Sequence, residues 1–152
     1  MIRGFPAAGR SLIAISCALL LLCAACRYWS FQEGERLIQA YFGGSGSSLK
    51  IITAYHGVSS CDGSFRIDRK DLNAGIERLH LQERPASSSG IDIHRESVRA
   101  KLRAHCPYGF DIENPSVSIY SPKRTINNVP IADIAYDEKT QTAVIYMLLP
   151  FN

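Results

Sequence analysis

Cys61 and Asp62 lie a few residues beyond His56, and a thiolate activated by a histidine is the first chemistry such a grouping suggests. In that reading Cys61 is the nucleophile and His56 or His105 the base, although no motif spacing positions the three. The competing reading uses Cys61 differently. In an oxidising compartment it pairs with Cys106, and a bridge closing the chain between these positions would contribute roughly 4 kcal/mol by loop-closure entropy before strain. A metal site is a third use of such side chains, with His56, His80, His94, His105 and several acids as candidates. None shows the H-x-x-x-H or C-x-x-C spacing that zinc ligation needs. From Ser60 to Asp71 there is a faint echo of a calcium loop, with Asp62, Ser64, Asp68 and Asp71 at oxygen-ligand positions and Ile67 at the central apolar one. The first Asp, the turn glycine and the terminal bidentate Glu are all missing. Ser87 to Ser89 lack the G-x-S-x-G elbow, and no glycine-rich phosphate loop is present. The reading therefore assigns no catalytic residue, no metal and no cofactor, and it takes Cys61 and Cys106 as a disulfide.

A different kind of contact is suggested by Arg95, Arg99 and Arg103, which recur every fourth residue with Lys101 nearby. On a helix they form a basic stripe able to meet anionic headgroups or an acidic protein partner, or simply a solvated face. Nucleic acid is a poor candidate partner. The chain holds 17 Lys and Arg against 14 Asp and Glu, and two of the basic residues, Arg3 and Arg10, lie at the extreme N-terminus.

That N-terminus has its own logic: a positively charged start without acids runs into an apolar stretch from Leu12 to Cys26, broken only by Ser16. This is the layout of a signal peptide, and the run is short of the roughly 20 residues that a helix needs to cross a hydrocarbon core. A permanent membrane span is the alternative. The end of the run, Leu22-Cys23-Ala24-Ala25-Cys26, resembles the lipobox of bacterial lipoproteins, in which small residues precede a cysteine whose thiol receives a diacylglycerol. Ala24, Ala25 and Cys26 match, whereas Cys23 stands where that class usually has leucine, so an ordinary signal peptidase could also cut after Ala25. The resemblance implies cleavage before Cys26, lipid and palmitate on that residue, and a periplasm-facing envelope protein, with Arg27 compatible with sorting to the outer membrane. Its expected partners are the membrane, through the anchor, and another envelope protein.

The organisation that follows is residues 1–25 as signal peptide, 26–29 as lipidated cysteine and short tether, and 30–152 as one domain. Ser30 and Glu33 form a capping box, after which Phe31, Leu37, Ile38, Tyr41 and Phe42 share a helical stripe and Gly43-Gly44 supplies a stop, with Gly34 the weak point. As an extended tether, residues 27–29 would let the domain stand roughly 10 to 14 Å from the lipid. Tyr28 and Trp29 are of the types that settle at a headgroup interface. Leu49 to Tyr55 reads as a strand, followed by a Gly/Ser/Asp loop carrying Cys61. Helices are expected over residues 69–80, despite Asn73 and Gly75, and from Ile93 to His105, where Val98, Leu102 and Cys106 line the inner face and Pro107 forbids continuation.

The C-terminal part reads as β. Val117 and Ile119 alternate with serines, residues 131–136 alternate, and Ala143 to Leu149 is apolar on both faces and so belongs inside a sheet. Asp137 to Gln141 has hairpin length. The expected fold is α+β, with two to three helices on one face of a mostly antiparallel sheet of about four strands. For function, the reading favours a non-catalytic, membrane-anchored envelope lipoprotein that binds another protein, as an inhibitor or immunity-type module would. A structural accessory subunit or a small Cys- or metal-dependent hydrolase are the alternatives.

Overall fold

The computed structural model describes residues 7–84, 93–122 and 128–150. In chain order they form α1 (Ala7–Phe42), β1 (Lys50–His56), β2 (Ser60–Arg66), α2 (Arg69–Arg78), β3 (Leu81–Glu83), α3 (Ile93–Arg103), β4 (Val117–Pro122), β5 (Ile131–Asp137) and β6 (Thr142–Leu148). The strands make one sheet in the order β1-β2-β6-β5-β4-β3, every pairing antiparallel. The α+β class holds, with six strands rather than about four. β6, apolar on both sides, sits between β2 and β5, and the Asp137 to Gln141 connection makes the hairpin that its length suggests.

The helices do not share one face. Ile38 and Phe42 of α1 and Leu72 and Ile76 of α2 pack with Phe65, Tyr136 and Ile145 in one core cluster. Val98 and Leu102 of α3 pack with Val117, Ile119, Ala135 and Val144 in another. Ala135 and Tyr136, like Val144 and Ile145, are successive residues of one strand and point to opposite faces. The sheet is thus covered on both sides, as the two-sided apolarity of β6 requires.

Helix α1 departs most from expectation. It runs for 36 residues without interruption, so Ser30 is interior and the capping box does not operate. No Gly or Pro stands between Gly9 and Gly34 to end a helix made of good helix formers. Glu33 instead pairs with Arg36 one turn on, at 3.1 Å. The Ser30 hydroxyl donates to the His56 carbonyl at 2.9 Å and accepts from the His56 N–H at 3.0 Å. One buried side chain therefore satisfies both backbone groups at the end of β1, an edge strand that would otherwise offer them to another chain. Residues 27–29 are helical, and Ser30 follows Cys26 by about 6 Å along the axis, not the longer reach of an extended tether.

The two glycines that look like weak points are the sites of closest approach. A Cβ on Gly34 would lie 2.9 Å from the Tyr55 backbone nitrogen and 3.1 Å from the Ala54 methyl. At Gly75 it would lie 2.1 Å from the Phe42 ring. Helix α1 thus lies directly on β1, and its last aromatic side chain fills the space that α2 leaves at Gly75.

β2 replaces the expected loop, since Ser60-Cys61-Asp62-Gly63-Ser64 has loop composition yet forms a strand. It forms because β1 and β6 pair with it on either side and its polar groups find partners: the Ser64 and Thr53 hydroxyls lie 2.8 Å apart. The calcium-loop echo is thereby dispersed along β2 and into α2. There Asp68 caps the helix by accepting from the Asp71 N–H at 2.8 Å, and Asp71 accepts from the Ser48 N–H at 2.7 Å. Those bonds from Ser48 hold the Asp71 carboxyl below its usual range.

Gly75→Ala separates packing from propensity. Intrinsic helix preference alone would stabilise the protein by about 1 kcal/mol. The clash with Phe42 is expected to reverse the sign and destabilise by about 1 to 3 kcal/mol in denaturant unfolding; a stability gain would contradict this packing.

Candidate functional site

Among the described residues a grouping of titratable side chains lies on the α3 side of the sheet. Asp62 of β2 and Asp133 of β5 both stand directly opposite Tyr146 of β6, so the three form a cross-strand row of carboxylate, phenol and carboxylate. Above this row α3 and its C-terminal extension bring two basic groups. The Lys101 ammonium lies 2.5 Å from Asp133 Oδ2 and 5.6 Å from the centre of the Tyr146 ring. His105 Nδ1 lies 2.9 Å from Asp62 Oδ2, and the imidazole stacks on Tyr146 with centroids 5.6 Å apart and an interplanar angle of 27°. Lys101 and His105 are four residues apart and so face the same way as the chain leaves the helix.

Chemically, an aspartate holding a histidine at Nδ1 is the orienting half of an acid–base pair. What such a pair needs next is a nucleophile, and the thiol proposed for that role is elsewhere. Cys61 is fully buried on the opposite face, in the α1 cluster, where its Sγ lies 3.8 Å from the Gly34 carbonyl oxygen. Burial, with a smaller contribution from the Asp62 charge, pushes the Cys61 thiol up to about 12. A thiol so protonated is not a nucleophile at neutral pH. His56 is also on the α1 side, edge-on to Trp29 at 5.9 Å between ring centres. Of the groups considered for catalysis, the structure brings His105 and Asp62 together and separates both from Cys61.

The same geometry places the two thiols expected to pair on opposite faces of the sheet. Cys61 and Cys106 are both free. Cys106 packs half-buried against the α3 cluster, 3.5 Å from the Leu102 carbonyl oxygen, with the sheet between it and Cys61. Spacing along the chain cannot reveal which face of a strand a side chain takes when the strand itself goes unrecognised. Among the described residues no group of three or more His, Cys, Asp or Glu side chains is arranged to hold a metal ion. The side chain of His94 lies outside the described residues, as do Ser87 to Ser89.

Two arginines of the basic stripe, Arg95 and Arg99, turn inward, while Arg103 stays exposed. Arg95 is 5 % exposed and its guanidinium donates to the carbonyls of Arg84 and Val117, the latter at 3.1 Å. Arg99 pairs with Glu96 at 3.0 Å and approaches Glu113 at 3.8 Å. Arg103 pairs with Glu113, whose carboxyl this bond holds below its usual range. These arginines fasten α3 to the β4 side and to the segment before it, with Arg95 engaged by main-chain carbonyls inside the domain. Asp133 and Tyr146, which complete the polar row, went unnoticed in the sequence. A signal existed in Asp133, the one acid inside the apolar run from Ile131 to Tyr136.

A second feature lies at the other edge of the sheet. A cleft of about 500 Å³ opens between α1 and the β1–β2 turn, lined by Cys26, Arg27, Trp29, Tyr55, His56 and Val58 among others. It is continuous with the N-terminal half of α1, whose Leu19, Leu20, Leu21 and Leu22 are all largely exposed. Comparison with family models, with curated proteins and with solved structures returns no match to this chain.

Alkylation followed by peptide mass mapping tests the placement of the two thiols. Under denaturing, non-reducing conditions both Cys61 and Cys106 are expected to take the label, whereas in the native protein Cys61 is expected to resist it. A Cys61–Cys106 linked peptide would contradict the structure.

Proposed function

We propose that this protein is a non-catalytic, membrane-tethered domain of the bacterial cell envelope that binds another envelope protein at the membrane surface. The observation that carries the proposal is the double role of α1. Its C-terminal half supplies Ile38 and Phe42 to the core, while between Ile15 and Trp29 every side chain is exposed. A row of exposed leucines in water is costly, at about 25 cal/mol per Å² of apolar surface, so this half calls for a bilayer or for removal. The lipobox-like Leu22-Cys23-Ala24-Ala25-Cys26 favours removal of residues 1–25 and acylation of the exposed Cys26.

Either way the domain is held at a fixed, short distance from the membrane by a rigid helix, which suits a partner that is itself at the membrane. The protonated, buried Cys61 and the internal pairing of Lys101 with Asp133 and His105 with Asp62 support a binding role over hydrolysis. A second reading, an uncleaved α1 that spans the bilayer, is favoured by one observation: no break separates the apolar half of the helix from residue 26 onward.

Intact-mass measurement of the protein extracted from membranes distinguishes the two. A chain starting at Cys26 and carrying added acyl mass is expected. A chain starting at Cys26 with no added mass would refute the lipid anchor, and one retaining residues 1–25 would replace it with the spanning helix. For the partner, crosslinking in intact membranes followed by capture of the full chain is expected to yield a discrete envelope protein; recovery of the chain alone would count against a binding role.

A further inference from the structure

The apolar half of α1 ends at Cys26, and at that level the domain has a second element beside the helix. This is the turn between β1 and β2, Gly57-Val58-Ser59, with Tyr55 and His56 leading into it. Cys26, Arg27 and Trp29 of the helix and Tyr55, His56 and Val58 of the strand and turn border the cleft there. The turn therefore stands next to the residue at which the helix leaves the apolar phase. Its exposed side chains are of the wrong kind for water: Val58 is fully exposed, and Trp29 and Tyr55 are 58 % and 55 % exposed. Arg27 contributes a positive charge, and none of the described lining residues is an acid.

The hollow at the opposite end of α1 differs in kind, being bordered by Gln39, Gly43, Gly44 and Ser47 with Leu49 as its apolar residue. Trp29 and the end of α1 at Phe42 are separated by about 20 Å at the helical rise, so the exposed Trp29, Tyr55 and Val58 stand apart from that hollow. They lie at the pole from which the exposed leucines extend.

We propose that the β1–β2 turn, together with Trp29 and Arg27, is a second membrane contact: Val58 and Tyr55 enter the headgroup–acyl boundary of the bilayer beside the anchor, and Arg27 meets lipid phosphate. This inference rests on the membrane tether proposed above. The tether alone would allow the domain to swing about its helix; the second contact fixes its rotation, because helix and turn must touch the surface together. The turn is held to the helix by the Ser30 hydroxyl, which bonds both backbone groups of His56, and is closed on itself by the Gly57 N–H, which donates to the Ser60 carbonyl at 2.8 Å. Aromatic side chains with a polar tip, such as Trp29 and Tyr55, are favoured at this depth. Orientation then decides which face a membrane partner meets: the contact leaves the pole at Gly43 to Ser48 directed away from the lipid.

The chain has a single tryptophan, which makes depth measurable. The full chain is placed in vesicles of phosphatidylethanolamine and phosphatidylglycerol, with part of the lipid brominated on the acyl chain near the glycerol. Emission is compared for the natural protein and for Val58→Trp and Ser45→Trp, each in a Trp29→Phe background. Positions 45 and 58 are exposed and in turns, so the substitutions leave the core untouched. The proposal expects the probe at position 58 to lose emission to bromine on the scale of Trp29 itself and to shift to the blue, with the probe at position 45 unchanged. Quenching of Trp29 without quenching at position 58 would overturn the second contact and leave the tether standing. Equal quenching at positions 45 and 58 would overturn the orientation. A chain that fails to cofloat with the vesicles would overturn the tether, and the inference with it.

Discussion

The structure depends on how closely α1 lies against the edge of the sheet. Gly34 allows the helix to rest on the Tyr55 backbone, and the Ser30 hydroxyl takes up both hydrogen-bonding groups of His56. Farther along, Phe42 fits into the space at Gly75. Each contact excludes something. A larger residue at Gly34 would lift the helix off β1, and without Ser30 the end of the edge strand would hold two unpaired backbone groups. Because these contacts run along one continuous helix, the core and the apolar N-terminal segment form one rigid unit. A hydrogen bond to backbone contributes about 1 kcal/mol, so the larger share of the attachment comes from burial of Ile38 and Phe42 in the cluster with Phe65 and Tyr136.

The opposite side of the sheet is organised by charge as well as by apolar contact. Val98 and Leu102 bury against β4, β5 and β6, and around them the ionic groups of α3 are directed at particular partners: Arg95 at main-chain carbonyls, Lys101 at the buried Asp133, Arg99 at two glutamates. Asp133 is almost inaccessible, and an unpaired carboxylate there would carry a heavy desolvation cost. The Asp62–His105 pair stands at the margin of this interface, where side chains are partly open to water. The polar row is the continuation of α3 packing, and of the groups that look reactive in the sequence Asp62 and His105 are bound to one another.

Much of the architecture was legible in the sequence, and the failures have specific physical causes. The hairpin of β5 and β6 announces itself through a polar connection between apolar runs, and α3 through Val98 and Leu102 ahead of Pro107. β2 stays hidden because its glycine and serines are there to admit close neighbours: at Gly63 a Cβ would lie 2.5 Å from the Thr53 carbonyl oxygen. Missing that strand removed the parity that places Cys61 on one face and Asp62 on the other, and hence suggested a disulfide across the sheet. Ser30 and Glu33 look like a helix start by composition, yet a capping box needs a chain that is not already helical before it. The arginines of α3 show the same limit, since periodicity identifies a stripe but not whether it faces water or main-chain carbonyls. The polar row joins three strands and a helix, and no local pattern links residues so far apart.

The continuity of α1 through Cys26 to Ser30 is the central claim, and hydrogen exchange of the membrane-bound chain tests it most directly. In a helix that begins at or before Cys26, the amides of residues 30–33 bond to carbonyls one turn back; in a helix that begins with Ser30 as its cap, those amides have no intrahelical partner. The account predicts that residues 30–33 exchange slowly, in step with those around Ile38, whether or not residues 1–25 have been removed. Fast exchange at residues 30–33 beside slow exchange near Ile38 would contradict it and would make residues 27–29 a flexible tether.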